Sequence, residues 1–179
     1  MKALILIAAI LGVSFATDNV AVNNQGNDGG NVHQTVNINN QDNVANINQY
    51  NGLHSWNSVW DYQRGVFAAR LVSKRACVVS RMNKNVVPSL EQLSKATQEK
   101  QNPNAPPPRS LTYTVSQTRV KNMAPYGSQI EALCKGVPTF FAQEVQDPDF
   151  YGTGCSTNGI VNILGITICG GPVNCVEQL

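Results

Sequence analysis

The sequence is poor in charged and aromatic residues, and the shortage of charge limits what the protein can be. Charged residues make up 13% of the chain, aromatic residues make up 7%, and the net charge is +2 at pH 7. A chain kept disordered by its charge would carry far more of it. So small a net charge also gives no reason to expect a nucleic-acid partner. We therefore expect a folded protein that does not bind nucleic acid.

Long hydrophobic runs are also absent. A membrane-spanning helix needs roughly 20 apolar residues, whereas the apolar run after Lys2 extends only from Ala3 to Val13 and ends in Ser14-Phe15-Ala16. This pattern predicts a secretory signal peptide over residues 1–16 and no transmembrane segment. The mature chain is then expected to begin near Thr17 and to be secreted into the extracellular space. Because no Asn-x-Ser/Thr sequence occurs, we do not expect N-glycosylation.

The motifs of common catalytic sites are missing as well. We find no nucleophile elbow and no phosphate-binding loop, and the only two histidines, His33 and His54, lie outside the cysteine framework, so no zinc-type pairing is formed. A cysteine–histidine nucleophile would need a free thiol beside one of these histidines. We expect a protein that is not an enzyme and that holds neither cofactor nor metal.

The chain does contain five cysteines, and their number is informative. In an oxidising secretory compartment cysteines pair by default, and an odd number leaves one over. The five are Cys77, Cys134, Cys155, Cys169 and Cys175.

Asparagine dominates the N-terminal segment, residues 17–52. Twelve asparagines fall between Thr17 and Asn51, which by composition alone is typical of a flexible polar arm. However, Val32 to Ile38 alternates apolar with polar residues, and a second short run follows from Val44 to Ile47. That alternation favours a β-hairpin with one apolar face. The hairpin and the flexible arm both remain open.

The middle of the chain predicts an antiparallel meander followed by helices. Three strands are indicated over Ser55–Tyr62, Val66–Val72 and Ala76–Met82. In the first of these, Trp60 lies on one face, and Val59 and Asp61 lie on the other.

Two helices are expected after this meander. Pro88 fits the first turn of one helix. The pattern from Ser128 to Glu131 predicts a capping box at the start of a second. This second helix carries Cys134 on its apolar face. A disulfide between Cys134 and Cys77 would therefore join helix to strand under the core, contributing roughly 4 kcal/mol by the chain-entropy estimate.

The C-terminal part is uncharged and rich in β-branched residues. Residues 159–168 have the composition of an aggregation-prone strand, and they lie between Cys155 and Cys169, whose spacing suits a disulfide-bridged hairpin. Cys175 is then the unpaired thiol, which could form a disulfide-linked dimer or bind another partner. The apolar residues of this segment are those of a β-prone strand, which could be an ordinary core strand. They are Ile160, Val161, Ile163, Leu164, Ile166 and Ile168.

Several of these motifs together resemble a known family. The residues in question are Val59-Trp60-Asp61-Tyr62, Cys77, Met82, Pro88-Ser89-Leu90 and Leu133-Cys134 with Val137-Pro138. They resemble the BRICHOS domain, and the flanking sequence, including Ser55-Trp56-Asn57-Ser58 and Leu164-Gly165-Ile166, resembles the gastrokines, the gastric-mucosa branch of that family. Cys175 lies outside the cysteine pattern of the family.

The resemblance implies an α+β fold, with an antiparallel sheet of about five strands flanked by two helices. It implies a Cys77–Cys134 disulfide and a functionally central aspartate at Asp61. The expected domains are the signal peptide 1–16, the Asn-rich segment 17–52, a BRICHOS domain over 53–150 and a β-prone segment over 151–179. If Asp61 faces the apolar core, burial disfavours its charged form and makes it a proton-linked switch; otherwise it is a structural or solvent-facing carboxylate.

For function, the resemblance implies a secreted chaperone-like protein with anti-amyloid activity. Such a protein would bind β-prone peptide or protein clients, protect the gastric mucosa and restrain epithelial proliferation. In related proteins the domain often shields a hydrophobic strand of its own precursor, so the resemblance makes the segment from Ile160 to Ile168 the candidate for binding clients or the protein itself, with an ordinary core strand as the alternative. The alternatives are a signalling factor that acts through an epithelial receptor and a mucin- or glycan-binding module that uses Trp56 and Trp60. A basic set could meet anionic mucin or a cell surface, or could simply be a solvated strand face. Its members are Arg70, Lys74, Arg75, Arg81 and Lys84.

Overall fold

The computed structural model describes residues 17–25, 31–99, 108–146, 155–160 and 163–170. The predicted signal peptide, Val161 and Cys175 lie outside these residues. Ten strands and two α-helices are found in the described part of the chain, in the order β1 (Thr17–Gln25), β2 (Asn31–Asn39), β3 (Val44–Tyr50), β4 (Trp56–Asp61), β5 (Val66–Leu71), β6 (Ala76–Arg81), α1 (Leu90–Gln98), β7 (Ser110–Arg119), α2 (Ser128–Cys134), β8 (Thr139–Val145), β9 (Ser156–Ile160) and β10 (Leu164–Cys169).

All ten described strands belong to one sheet, in the spatial order β1-β2-β3-β4-β5-β6-β8-β7-β10-β9. Neighbouring strands are antiparallel except for the β6–β8 and β7–β10 pairs, which are parallel. The α+β class is therefore as expected, but the expected number of about five strands was wrong. The N-terminal segment adds three strands beside β4, and the C-terminal segment adds two beside β7.

The Asn-rich segment forms a hairpin rather than a disordered arm. Strands β2 and β3 pair in register, so that Val36 faces Ile47 and Ile38 faces Ala45, and all four side chains are buried. In the turn, the Asn39 side-chain oxygen accepts the backbone N–H groups of Gln41 and Asp42, each at 3.0 Å. Asparagine thus supplies the turn chemistry while valine and isoleucine supply the buried face. Strand β1, which pairs with β2 over its full length, was not predicted.

The meander of β4, β5 and β6 has the predicted strands and the predicted faces. Ser58 and Trp60 of β4 point into the larger of two apolar cores, whereas Val59 and Asp61 lie on the opposite face. The smaller core, under α2, contains Val59 together with Ile130 of that helix. Alternation along β4 therefore decides which residues face α2.

Strands that are far apart in the order of the sheet share the larger core, which shows that the sheet is strongly curved. Side chains from β4 and β5 and side chains from β9 and β10 line one small cavity of about 10 Å³. Helix α1 adds Leu93 and Ala96 to the same core. It packs at the end of the sheet where the β4–β5 turn lies, and there the Tyr62 hydroxyl donates to the Pro88 carbonyl at 2.8 Å.

Both helices begin differently from the prediction. Helix α1 starts at Leu90, with Ser89 as its N-cap and a complete capping box between Ser89 and Gln92, so Pro88 precedes the cap instead of occupying the first turn. Helix α2 is capped by the backbone of Gly127, with no side-chain cap, so the predicted Ser128–Glu131 capping box was wrong. The Glu131 N–H bonds to the Gly127 carbonyl at 2.9 Å, which places Ser128 inside the helix.

Candidate functional site

Helix α2 is held on the sheet by a disulfide at its C-terminal end. Cys77 of β6 is bonded to Cys134, with Cα atoms 5.5 Å apart, and the two residues are 0% and 3% exposed. The guanidinium of Arg70 donates to the Leu133 carbonyl at 3.1 Å, which satisfies a carbonyl at the end of the helix. The bond is therefore shielded from solvent thiols and fixes where α2 ends.

Asp61 lies at the end of β4, on the α2 side of the sheet. Its side chain is only 6% exposed and forms an ion pair with Arg64, with 2.8 Å between Asp61 Oδ2 and Arg64 Nη1. The other oxygen, Oδ1, accepts the Arg64 backbone N–H, also at 2.8 Å. A buried carboxylate needs such partners, because desolvation without them is costly. Asp61 is thus held by a single residue through two bonds.

Arg64 connects this carboxylate to the start of α2. A Cβ atom at Gly127 would lie 3.3 Å from three atoms of the Arg64 side chain, and Gly127 has a φ of +96°, where residues with side chains are strained. The Arg64 side chain therefore lies against the N-cap of α2. Helix α2 is positioned at one end through Arg64 and at the other by the disulfide. Arg64 was not among the predicted site residues, and its spacing of three residues from Asp61 across a turn was the available signal.

The β-prone C-terminal segment forms a hairpin that is part of the sheet. Strand β9 pairs antiparallel with β10, and β10 pairs parallel with β7. Cys155 and Cys169 are disulfide-bonded at the open end of this hairpin, with Cα atoms 4.0 Å apart. The hairpin is therefore closed as the cysteine spacing suggested.

The apolar side chains of this hairpin point into the larger core. Ile160 and Leu164 are each 1% exposed, Ile166 and Ile168 are each 4% exposed, and Ile163 is partly buried. Ile160, Ile166 and Ile168 share the small cavity described above with the aromatic rings of β4 and β5. In this structure the segment is a core element, and a client could reach those positions only in its place.

Trp56 and Trp60 do not line a surface. They are 4% and 2% exposed, and Trp60 stacks on Phe67 with ring centroids 4.5 Å apart. The Trp60 Nε1 group donates to the Ser58 hydroxyl at 2.9 Å. The alternative in which these two tryptophans form a sugar site does not fit the structure, because both rings belong to the core.

Two tyrosines, Tyr62 and Tyr113, have raised pKa values. Burial raises the pKa of Tyr62 well above its ordinary value. Burial, with a smaller contribution from the negative charge of Glu144, does the same for the pKa of Tyr113. Both phenols therefore stay neutral at alkaline pH values where an exposed tyrosine ionises.

The described residues contain neither a helix that could span a membrane nor a metal-binding cluster. None of the helices there is long and apolar enough to cross a membrane. No group of three or more histidine, cysteine, aspartate or glutamate side chains in those parts of the chain could hold a metal ion.

Helix α2 and the strand that carries its disulfide both lie in a part of the chain that matches a known family. The model of the BRICHOS domain matches residues 52–141. This region holds β4 to β7, the beginning of β8 and both α-helices. The central five strands are thus the part that matches, which is why an expectation based on this family undercounts a sheet extended at both ends.

Relatives align over nearly the whole chain. Human gastrokine-1 is 39% identical over 97% of this chain and 99% of its own length. Pig gastrokine-1 is 41% identical over 96% of this chain and 98% of its own length. Rat gastrokine-2 is 40% identical over 82% of this chain and 83% of its own length. The chain therefore belongs to the BRICHOS-domain family and, within it, to the gastrokines. No solved structure matches it.

Proposed function

We propose that this protein is a secreted, non-enzymatic BRICHOS protein of the gastric mucosa that binds β-prone segments in a chaperone-like way. Through this binding it would oppose amyloid formation, protect the mucosa and restrain epithelial proliferation. Two disulfides within the described chain support an oxidising, extracellular location. Membership of the gastrokines supports the mucosal setting.

The observation that carries the binding proposal is how the sheet accommodates the protein's own β-prone segment. The uncharged hairpin β9–β10 is joined to β7 by strand addition and covers the aromatic side chains of β4 and β5. Strand addition provides affinity through the backbone, and apolar pockets select the side chains. A foreign segment of the same composition could provide the same backbone pairing and the same apolar side chains. We therefore propose that the hairpin shields the surface that receives a client.

The BRICHOS match supports this division. It ends at residue 141, before β9 begins, so the hairpin is an addition to the matched domain. The hairpin also presents an outer strand, because β9 is the last strand in the described sheet. Outer strands carry unpaired backbone groups that can pair with another chain.

Deletion of the hairpin tests the proposal. The variant ends at Asn158 and carries Cys155→Ser, so that no new free thiol is left. The matched control ends at Gly170; it also lacks Cys175 but keeps the hairpin and its disulfide. In a fibril-growth assay with a β-prone peptide, we expect the shorter variant to suppress growth more strongly than the control.

Circular dichroism decides how each result is to be understood. A shorter variant that is folded and suppresses growth no better than the control contradicts shielding. A shorter variant that is unfolded shows that the hairpin is a required core element, which also contradicts shielding.

For Asp61 we propose a proton-linked role, based on its burial and its ion pair with Arg64. Only the carboxylate form attracts the guanidinium, so protonation would release Arg64 from Asp61 and loosen its contact with Gly127. The test is Asp61→Asn, with Asp42→Asn on the exposed β2–β3 turn as the control. We expect self-association or client binding to differ between neutral and acidic pH in the wild type and in the control. We expect Asp61→Asn to change this pH dependence. A pH profile left unchanged by Asp61→Asn contradicts the switch.

Other partners remain open to the same kind of direct measurement. A receptor-mediated signalling factor predicts saturable binding to epithelial cells without suppression of fibril growth in a purified assay. A disulfide-linked partner or dimer through Cys175 predicts a doubled or otherwise increased mass under non-reducing conditions, which is lost in Cys175→Ser.

A further inference from the structure

Two buried hydrogen-bond donors lie next to the hairpin β9–β10 without a partner. They are the Nε1 group of Trp56 and the hydroxyl of Tyr113, whose residues are 4% and 0% exposed. Among the residues that the structure describes, no other buried side-chain nitrogen or oxygen lacks a hydrogen bond. Buried polar groups in folded proteins are nearly always hydrogen-bonded. Two exceptions beside the same hairpin therefore need an explanation.

Trp56 lines the small cavity between the hairpin and strands β4 and β5. Ile160 of β9 and Ile166 and Ile168 of β10 line the same cavity. These three side chains contain no polar atom, so none of them can accept a hydrogen bond from Trp56 Nε1. With the hairpin in place, the Trp56 ring contributes to the core by packing alone.

Tyr113 lies beside the same part of the hairpin. On β7 it is the register partner of Ile168 in the parallel pairing with β10. Its ring packs edge-on against Phe67, with ring centroids 5.0 Å apart, and Phe67 lines the cavity together with Trp56. Both donors without a partner are thus next to the surface that the isoleucines of the hairpin fill.

Trp60 shows that the same strand can supply a partner to an indole. Its Nε1 group donates to the Ser58 hydroxyl at 2.9 Å, and that hydroxyl donates in turn to the Ile47 carbonyl at 2.9 Å. The sheet therefore completes the hydrogen bonding of Trp60 and leaves that of Trp56 to the strand that packs over it.

From this pattern we propose that Trp56 and Tyr113 determine client specificity. They select β-prone segments that carry a hydroxyl or carboxamide side chain on the face turned toward the sheet. This inference rests on the proposed binding of clients in place of the hairpin. Such a side chain accepts the Trp56 N–H or the Tyr113 O–H, which an isoleucine cannot do.

The same difference explains how a client displaces the hairpin. A buried donor that gains a partner contributes about tenfold to the affinity of the segment that supplies it. The hairpin forgoes this contribution at both donors. A client with the matching polar side chain is therefore held more tightly than the protein's own segment, while its other apolar residues fill the core as the isoleucines do.

Paired peptides test the proposal with the full-length protein. Each pair consists of a β-prone peptide with valine at one apolar position and the same peptide with threonine there, and the exchange is made at each apolar position in turn. The two side chains have the same shape and differ by a hydroxyl in place of a methyl group. Burial without a partner disfavours threonine. We expect the threonine peptide to bind about tenfold more tightly at one position or more.

Three variants assign this preference to the two donors. Trp56→Phe and Tyr113→Phe each keep an aromatic ring and remove one donor, and together they should abolish the preference for threonine. The control, Tyr126→Phe, removes a phenol hydroxyl that lies on the α2 side of the sheet and should leave the preference unchanged. An unchanged thermal midpoint shows that each variant is folded.

The hairpin itself gives a second test, which needs no client. Ile168→Thr places a hydroxyl next to Tyr113, and Ile168→Val is its isosteric control. In the wild-type background we expect the threonine variant to be at least as stable as the valine variant. In the background of Trp56→Phe with Tyr113→Phe, its unfolding equilibrium constant should be about tenfold less favourable than that of the valine variant, as a double-mutant cycle measures.

The outcomes separate this inference from the proposed function. Binding of neither peptide contradicts both. Equal binding of the threonine and valine peptides at every position contradicts the specificity alone, because a client is then bound without the two donors. A preference for threonine that survives Trp56→Phe with Tyr113→Phe contradicts it as well, as does an equal cost of Ile168→Thr in the two backgrounds.

Discussion

At the scale of single residues, the buried polar groups of this protein differ in whether the described residues supply them with a partner. The Asp61 carboxylate has Arg64, and the Ser58 hydroxyl accepts from Trp60 and donates to the Ile47 carbonyl at 2.9 Å. By contrast, no hydrogen-bond partner within the described chain reaches Trp56 Nε1 or the Tyr113 hydroxyl. A buried polar group without a partner costs about 1–3 kcal/mol, so these two rings are retained for their packing.

Tyr62 leads to a prediction at high pH. Burial raises its pKa in the folded state above the value of about 10 expected in the unfolded chain. Below pH 10 the phenol is neutral in both states, so its contribution to stability is complete. Above that pH the unfolded state loses the proton first, and stability falls. We expect Tyr62→Phe to make the free energy of unfolding fall less steeply with pH above 10, as measured by denaturant titration.

Tyr50 provides the control for this prediction, because its ring is half exposed and lies outside the core. Tyr50→Phe should reproduce the alkaline profile of the wild type. An identical profile for Tyr62→Phe and the wild type would contradict the assigned burial.

At the scale of elements, the two helices begin by different means. Helix α1 uses a side-chain capping box, and α2 uses a glycine backbone. The distinction matters because both sequences place a serine at the start of the helix. The Ser89 hydroxyl accepts the Gln92 N–H at 3.2 Å. In α2 the N-cap is Gly127, which has no side chain to form such a bond.

The two serines should therefore respond differently to substitution. Ser89→Ala removes the N-cap bond and should lower the free energy of unfolding by about 1 kcal/mol. Ser128→Ala lies within the first turn and should change it by less than about 0.5 kcal/mol. Chemical denaturation of the two variants measures both values. Equal losses, or a greater loss for Ser128→Ala, would contradict the assigned helix starts.

Gly127 and Gly136 form a second matched pair, one before and one after α2. Both have a positive φ, of +96° and +82°, but only Gly127 faces another side chain, that of Arg64. Gly136→Ala should cost about 1 kcal/mol for backbone strain alone. Gly127→Ala should cost more, because the new methyl group displaces the Arg64 guanidinium from Asp61.

Arg64→Ala provides the test of coupling. In the Arg64→Ala background the additional cost of Gly127→Ala should disappear, which a double-mutant cycle measures. Strictly additive effects of the two substitutions would contradict the contact between Arg64 and the start of α2.

The elements that could be predicted are those whose signal is local. Alternation along β4 predicts the strand and its two faces, and two cysteines that bracket an apolar run predict the bridged hairpin. Strand β1 could not be predicted, because its asparagine-rich sequence has a low intrinsic strand preference and becomes a strand by pairing with β2. The parallel pairing of β7 with β10 joins segments far apart in sequence, and nothing in either segment indicates the other.

At the scale of the whole molecule, the candidate site is a consequence of curvature. One continuous sheet brings β9 and β10 over β4 and β5, so that the apolar C-terminal segment and the tryptophan-rich strand share a core. The sequence identifies each of these segments as apolar, but it does not predict that they contact each other. It also identifies Asp61 and the two cysteines of the staple, while the link through Arg64 to Gly127 requires the folded turn.

The central claim is that a β-prone client takes the place of the hairpin β9–β10 on the sheet. Hydrogen–deuterium exchange of the full-length protein, with and without an excess of a β-prone peptide, measures this most directly. If the claim is correct, the backbone amides of Leu164–Cys169 lose protection when the client is bound, while those of Val66–Leu71 in β5 keep theirs. Suppression of fibril growth with the protection of Leu164–Cys169 unchanged would contradict it.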